Sequence, residues 1–119
     1  MRNKDLSIRS DKIPFQATHP GNLIKDEIEA RNLTQSKVAI EMEIAPNVLN
    51  ELIKGKRNIT PAIALKLEVV FDIDAEYWMR LQIKYEIDSL RIKHNKEIQE
   101  TSMPDKRKKN FMKNIAASL

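Results

Sequence analysis

Residues 34–57 constrain the fold more than any other stretch, because they contain two short helical patterns separated by a tight turn. Thr34 is a favourable N-cap for the first pattern, behind which apolar side chains recur at helical spacing. The second pattern begins at Pro46, where a missing N–H costs nothing in the first turn, and it stops before Gly55. Two short helices joined in this way predict a helix-turn-helix, a motif whose second helix can enter the major groove of DNA.

The composition predicts an all-α protein. Hydrophobic residues make up 41% of the 119 residues, and no Val/Thr alternation suggests strands. There is no cysteine, so no disulfide framework or thiolate zinc site is expected, and no cofactor is implied. The first residues have no apolar signal core, and no 18-residue apolar run is present, which favours a soluble, cytoplasmic protein.

The expected organisation is one domain with two extensions. The three parts are an N-terminal arm at 1–18, a helix-turn-helix domain with a C-terminal dimer helix at 19–99, and a basic flexible tail at 100–119. Caps and apolar periodicity predict five helices, at about 20–31, 35–42, 46–54, 61–71 and 75–99. The fourth is apolar nearly all round and is expected to be mostly buried. Asp74 is the expected cap of the fifth.

Apolar residues of the fifth helix fall into two nearly opposite stripes at 100° per residue. The first stripe consists of Tyr77, Trp78, Leu81, Tyr85 and Ile92. The second consists of Met79, Ile83, Ile87, Leu90 and Ile98. One stripe can pack on the other helices, so the second predicts a homodimer contact at Ile83, Ile87 and Leu90. The alternative is that both stripes are core plus scattered surface residues.

The net charge of +4 is unevenly distributed. Residues 19–103 carry a slight excess of acidic groups, whereas the arm and especially the tail are basic. A high pI is therefore poor evidence for nucleic-acid binding, and the placement of individual charges matters more. The basic tail is most simply a solvated segment, and the functional alternative is phosphate contact or folding on a partner.

The outer face of the second short helix has the chemistry of a DNA reader. Asn pairs with adenine, Glu accepts from cytosine N4, and Val touches a thymine methyl. The expected base-facing residues are Asn47, Val48, Asn50 and Glu51. The expected contacts to the DNA backbone are Gln35, Lys54, Lys56 and Arg57. The alternative is an ordinary solvated helix surface and turn, and Glu51 favours that alternative because DNA repels a carboxylate.

Catalysis is not expected. The only two histidines, His19 and His94, are 75 positions apart, and the carboxylates have no acid–base spacing. With two glycines in the chain, no phosphate-cradling glycine loop exists. No metal ligand set is recognisable.

Several segments together resemble one known family. The stretch TQSKVAIEMEIAPNVLNELIKGKRNIT resembles the helix-turn-helix of the lambda-repressor-like (XRE, Cro/C1) superfamily. HPGNLIKDEI at 19–28, GKRNITPAIALKLEVVF at 55–71 and AEYWMRLQIKYEI at 75–87 are similar, in order and spacing, to HigA-type antitoxins of bacterial toxin–antitoxin modules. The match covers about 19–90, so the arm and tail lie outside it.

The resemblance implies a five-helix lambda-repressor-like DNA-binding domain with a long C-terminal helix and flexible N- and C-terminal extensions. It also implies a homodimer that represses its own operon at operator DNA and silences a HigB-type mRNA endonuclease toxin. The chain departs from the family at Ala45, Glu51 and Glu43, where a small polar cap, a basic residue and a glycine are common. These departures bear on the operator sequence and the DNA affinity more than on the fold.

Two alternatives remain open from the sequence. One is a stand-alone XRE-family transcriptional regulator, and the other is a protein-interaction module that has lost DNA binding. The toxin-binding surface cannot be derived from the pattern. The candidates are the arm at 1–18 and the exposed faces of the first and fifth helices. The arm is favoured because Ile13 and Phe15 offer apolar anchors outside the core, as segments that fold on a partner do.

Overall fold

The computed structural model of the protein describes residues 15–100, 112–113 and 115–116. Side chains of residues 97–100 are outside this description. The five helices are α1 (Gly21–Ala30), α2 (Gln35–Met42), α3 (Pro46–Ile53), α4 (Pro61–Phe71) and α5 (Ala75–Glu100). Residues 112–113 and 115–116 are also helical, in a tail where the sequence predicted no helix. The predicted all-α, five-helix class is confirmed.

The chain divides into two compact units, of which Thr18–Tyr85 is the first. It contains α1 to α4 and the start of α5 around one apolar core. The core side chains are all 7% exposed or less; they are Ile24, Ile28, Val38, Ala39, Met42, Leu49, Leu52, Ile59, Ala64, Leu67, Phe71 and Trp78. Each large side chain buried in this way contributes about 1.5–3 kcal/mol by the hydrophobic effect. The second unit contains the remainder of α5.

Most helix ends follow the predicted capping chemistry. The Thr34 hydroxyl accepts a hydrogen bond from the N–H of Lys37 at 3.2 Å, and that of Thr60 accepts from Ile63 at 3.3 Å. Asn32 has φ 60°, and the next N–H bonds back to Ile28, which closes α1 as expected. These local signals explain why every helix begins and ends within one residue of its prediction.

Apart from Asn32, two helix ends have a left-handed residue that is not glycine. Glu43 follows α2 with φ 56°, and Asp72 follows α4 with φ 57°. A residue with a Cβ is less stable in this region than glycine, by about 1–2 kcal/mol. Glu43, which stands where the family commonly has glycine, therefore occupies a strained backbone position.

Helix α4 corrects one prediction. Its fully buried residues lie on one face, whereas Leu65 and Val69 are 56% and 81% exposed. The expectation that this helix is mostly buried was wrong, because an apolar composition all round does not supply neighbours on every side.

The first turn of α5 is held by a carboxylate from α4. Glu68 Oε1 accepts a hydrogen bond from the N–H of Ala75 at 2.8 Å. Asp74 stands at the expected N-cap position, and its backbone carbonyl accepts from Tyr77 at 3.0 Å. A cap supplied by a residue of the preceding helix is invisible to a local sequence pattern.

The two apolar stripes of α5 are only partly as predicted. Trp78 is buried, but Tyr77 of the same stripe is 42% exposed. In the other stripe, Met79 packs against the core, whereas Ile83 is 52% and Ile87 42% exposed. No helix among the described residues is long and apolar enough to span a membrane.

Candidate nucleic-acid interface

Helix α3 is fixed by its apolar face. Leu49 and Leu52 are fully buried, and Ile44, in the turn before α3, packs against the same core. Glu43 turns the chain between the helices, and Ala45 precedes α3 in extended conformation without a side-chain cap. Pro46 at the first position compensates, since its φ is already set for a helix.

The predicted base-facing residues have three different environments. Asn47 is exposed on the first turn of α3. Asn50 and Glu51 are half-buried one turn further along. Val48 is also half-buried but packs against the core, which limits its reach toward a partner. The polar outer face thus consists mainly of Asn47, Asn50 and Glu51.

Helix α2 contributes to this face through its first residue. Gln35 Nε2 donates a hydrogen bond to Asn50 Oδ1 at 3.3 Å. The contact orients the Asn50 side chain from α2 and does not use its amide nitrogen. The structure therefore brings together one residue predicted to contact phosphate and one predicted to contact a base.

Glu51 is in contact with Arg57, beyond the end of α3. The Arg57 Nε and Nη2 atoms both donate to Glu51 Oε1, at 3.0 and 2.7 Å. The two side chains remain 48% and 40% exposed, for Arg57 and Glu51 respectively. The ion pair offsets the negative charge of Glu51, which would otherwise repel DNA at this surface.

The basic end of the interface lies on a left-handed turn. Gly55 has φ 76°, and the N–H of Lys56 donates to the Glu51 carbonyl at 2.8 Å. Lys54 and Lys56 are exposed on either side of this glycine. Both lysines therefore present their positive charges to solvent next to the end of α3.

His19 supports this turn, a role that the sequence pattern did not reveal. Its Nδ1 accepts a hydrogen bond from the N–H of Gly21 at 2.9 Å, and its ring meets Tyr85 edge-on at 4.8 Å. A Cβ on Gly55 would lie 3.4 Å from the ring. Burial lowers the pKa of His19 below the ordinary 6.5, and the nearby backbone of Arg57 opposes the shift. The histidine therefore lies between the start of α1 and the basic turn.

Gln82 supports the turn from α5. Its Oε1 accepts a hydrogen bond from the N–H of Ile59 at 2.8 Å in a buried position. This bond anchors the chain between α3 and α4. A polar residue inside an otherwise apolar helical face is the one sequence signal that could have identified it.

The remaining predicted residues belong to the arm and to α5. Phe15 is fully exposed, whereas Ile13 lies outside the described residues. Ile83 and Ile87 are exposed and Leu90 is half-buried. Among the described residues no group of histidine, aspartate and glutamate could hold a metal ion.

Two helices at a tight turn, the second with a buried apolar face and a polar outer face, define a helix-turn-helix DNA-binding fold. A family model described as Helix-turn-helix matches residues 24–78. The chain belongs to this helix-turn-helix (XRE) family, which is non-enzymatic.

Individual relatives extend the comparison. The helix-turn-helix-type transcriptional regulator YddM of Escherichia coli is 36% identical over 53% of this chain and 67% of its own. A HigA-family addiction module antidote protein of Coxiella burnetii is 27% identical, with a TM-score of 0.65 over 76% of this chain and 99% of its own. The fold of the Pseudomonas aeruginosa antitoxin HigA, solved with the higBA promoter, is similar at 24% identity, with a TM-score of 0.64 over 75% and 98% of the two chains. The predicted resemblance to HigA-family antitoxins is confirmed.

Proposed function

We propose that this protein is the antitoxin of a type II toxin–antitoxin module and the repressor of its own operon. In this proposal a homodimer places two copies of α3 in successive major grooves of operator DNA, and each chain also binds and neutralises a HigB-type mRNA endonuclease. The observation that supports it most is the polar face of α3, with Asn47 exposed at its start and Lys54 and Lys56 at its end.

The likeness to solved antitoxins favours this function over other helix-turn-helix roles. The Coxiella relative is an antidote protein of an addiction module, and the Pseudomonas relative was solved with its promoter. By analogy, the expected DNA is the promoter upstream of this protein's own gene, and the expected place of action is the cytoplasm, where that DNA lies.

DNA binding is tested by titrating the full chain into a duplex of its own upstream promoter and into a random duplex of equal length. The comparison is made at two salt concentrations. Specific binding predicts a preference for the promoter of at least 1,000-fold, with a salt dependence set by the phosphate contacts. Equal affinity for both duplexes with a shallow salt slope would instead support an interaction module without DNA binding.

Neutralisation is tested by expressing the adjacent small gene alone and together with this chain. The expected result is growth arrest by that gene alone, rescue on co-expression, and co-purification of the two products. A non-toxic neighbour, or two products that do not co-purify, would refute the antitoxin function.

A stand-alone transcriptional regulator is the second candidate function. The Escherichia coli relative, named only as a transcriptional regulator, supports it. Promoter binding without a toxic neighbouring gene is the outcome that distinguishes this candidate from the first.

The toxin-contacting surface is proposed to include Ile13 and Phe15 of the arm. The exposure of Phe15 supports this proposal, because an exposed aromatic ring can be buried on a partner. Deleting residues 1–16 should weaken toxin binding and leave promoter binding unchanged. An unchanged toxin affinity would exclude the arm.

A further inference from the structure

Glu51 and Arg57 form an ordered pair at the edge of the DNA-facing surface. Two of the Arg57 nitrogens, Nε and Nη2, donate to a single carboxylate oxygen of Glu51. Neither side chain is buried by the contact, so both remain accessible to a ligand. The pair is therefore a feature of the surface itself, separate from the packing of the core.

The backbone brings the two residues together. The left-handed Gly55 reverses the chain after α3, and the hydrogen bond from Lys56 N–H to the Glu51 carbonyl closes the turn. His19 packs beneath Gly55, where an added Cβ would lie 3.4 Å from its ring. As a result, Arg57 returns toward the helix residue six positions before it.

The hydrogen bonds to Glu51 use only one edge of the guanidinium. Arginine has five N–H donors in a planar fork. Contact through Nε and one hydrogen of Nη2 leaves the end of the group, with Nη1 and the second hydrogen of Nη2, available for two parallel hydrogen bonds. Guanine is the base that presents two acceptors, N7 and O6, to such a fork in the major groove.

The charge of the pair favours a base over a phosphate. A carboxylate beside Arg57 compensates its positive charge and weakens its attraction to the DNA backbone, whereas its directional donors are kept. Lys54 and Lys56 have no carboxylate contact in the described structure and are better suited to phosphates.

We propose that Glu51 is a positioning residue that directs the free edge of Arg57 to a guanine, so that the pair selects one G·C base pair in each half-site. The proposal rests on the DNA-binding function proposed above. It changes two expectations from the sequence, in which Glu51 itself contacts cytosine and Arg57 contacts phosphate.

The test is selection of bound duplexes from a random library by the full chain and by the variants Glu51→Ala, Arg57→Gln and the double variant. The wild-type protein should select a motif with a G·C pair at one fixed position of each half-site. That pair should be preferred about 10-fold or more over other base pairs at the position. Both single variants should lose the preference at that position only, and the double variant should lose no more.

Binding to random DNA distinguishes positioning from direct contact. Glu51→Ala removes a negative charge and releases Arg57, so its affinity for random DNA should rise and its salt slope should steepen by about one. Arg57→Gln should not increase that affinity. Lys56→Gln is the matched control, and it should weaken binding to all duplexes alike without changing the motif.

Three outcomes would overturn the proposal. A G·C preference that survives Arg57→Gln and disappears in Glu51→Ala would assign the base contact to Glu51. A motif unchanged in both variants, with altered thermal stability only, would make the pair structural. If the original protein selects no motif at all, DNA recognition itself fails, and this result is distinguishable because it appears before any variant is made.

Discussion

Gly21 of α1 lies against the backbone of Leu52 in α3. A β-carbon placed on Gly21 would be only 2.0 Å from the Leu52 carbonyl oxygen and 2.9 Å from that of Ile53. The contact orients α3 relative to the start of α1. A glycine is required here by space, not by backbone conformation.

Gly21→Ala should therefore destabilise the fold by about 3 kcal/mol or more, since backbone atoms must move to admit the methyl group. At an unstrained helical position the same change usually stabilises a protein by about 0.4–1 kcal/mol. Urea denaturation followed by circular dichroism measures the difference. A free energy of unfolding equal to or above the original would show that α1 and α3 can separate without loss.

Stability should decrease as the pH falls below 6.5, because His19 is neutral in the fold. Its Nδ1 accepts from Gly21, and burial lowers its pKa, so the unfolded chain binds the proton more readily. The contribution of neutral His19 to the free energy of unfolding is fully present above the pKa of the unfolded chain. It is lost as the pH falls from that value through the lower pKa of the folded protein. The groups facing the ring are Tyr85 and the backbone of Arg57.

His19→Asn provides the control for this pH dependence. Asparagine can accept from the Gly21 N–H but does not titrate. The free energies of unfolding of the wild-type protein and of His19→Asn are compared at pH 7.5 and 5.5. The wild-type value should decrease more between the two pH values. Parallel pH profiles would exclude His19 as the responsible group.

Glu43→Gly should stabilise the protein by about 0.5–1 kcal/mol. It relieves a left-handed residue with a Cβ, and the added freedom of the unfolded chain offsets part of the gain. Glu41→Gly is the matched control, two positions earlier inside α2, and it should destabilise by a similar amount. Thermal unfolding of the two variants should thus shift in opposite directions.

Ile83→Lys should weaken the proposed dimer, since a charge would have to be buried in the contact. Ile40→Lys is the matched control, because Ile40 is equally apolar and even more exposed but lies on α2. Sedimentation at several concentrations should give at least a 10-fold weaker dimer for the first variant, about 1.4 kcal/mol, and an unchanged one for the second. Equal behaviour of the two would place the dimer contact elsewhere.

Asn47→Ala and Lys56→Ala should have different effects on DNA binding. The first should weaken binding to the promoter by about 1–3 kcal/mol and spare random DNA, because Asn47 is expected to contact a base. The second should weaken both alike and reduce the salt slope by about one. Anisotropy titrations on both duplexes measure this, and identical effects of the two variants would contradict the assignment.

The helices were predictable because their ends are determined locally. Thr34, Thr60, Pro46, Asn32 and Gly55 each act on backbone groups within a few positions of themselves. Side chains that form hydrogen bonds with distant segments leave no recognisable pattern in the sequence. Glu68 and Gln82 reach backbone N–H groups of other segments, and their partners are known only once the helices are packed.

The positions of the polar side chains on α3 were predictable, but their pairing was not. Spacing placed the polar side chains of α3 opposite Leu49 and Leu52, as the structure has them. It did not reveal that Gln35 contacts Asn50 or that Arg57 contacts Glu51, since these pairs form across turns. Opposite charges on either side of a glycine turn were the available signal for the second pair.

The left-handed residues Glu43 and Asp72 also affect how much protein a cell contains. Each lowers the free energy of unfolding, so each raises the fraction of chains that proteases can attack. A change of about 1–2 kcal/mol can alter cellular abundance several-fold. Under the autorepression proposed above, these two turns would help to set the rate at which the protein must be replaced, and so how soon its operon is released when translation slows.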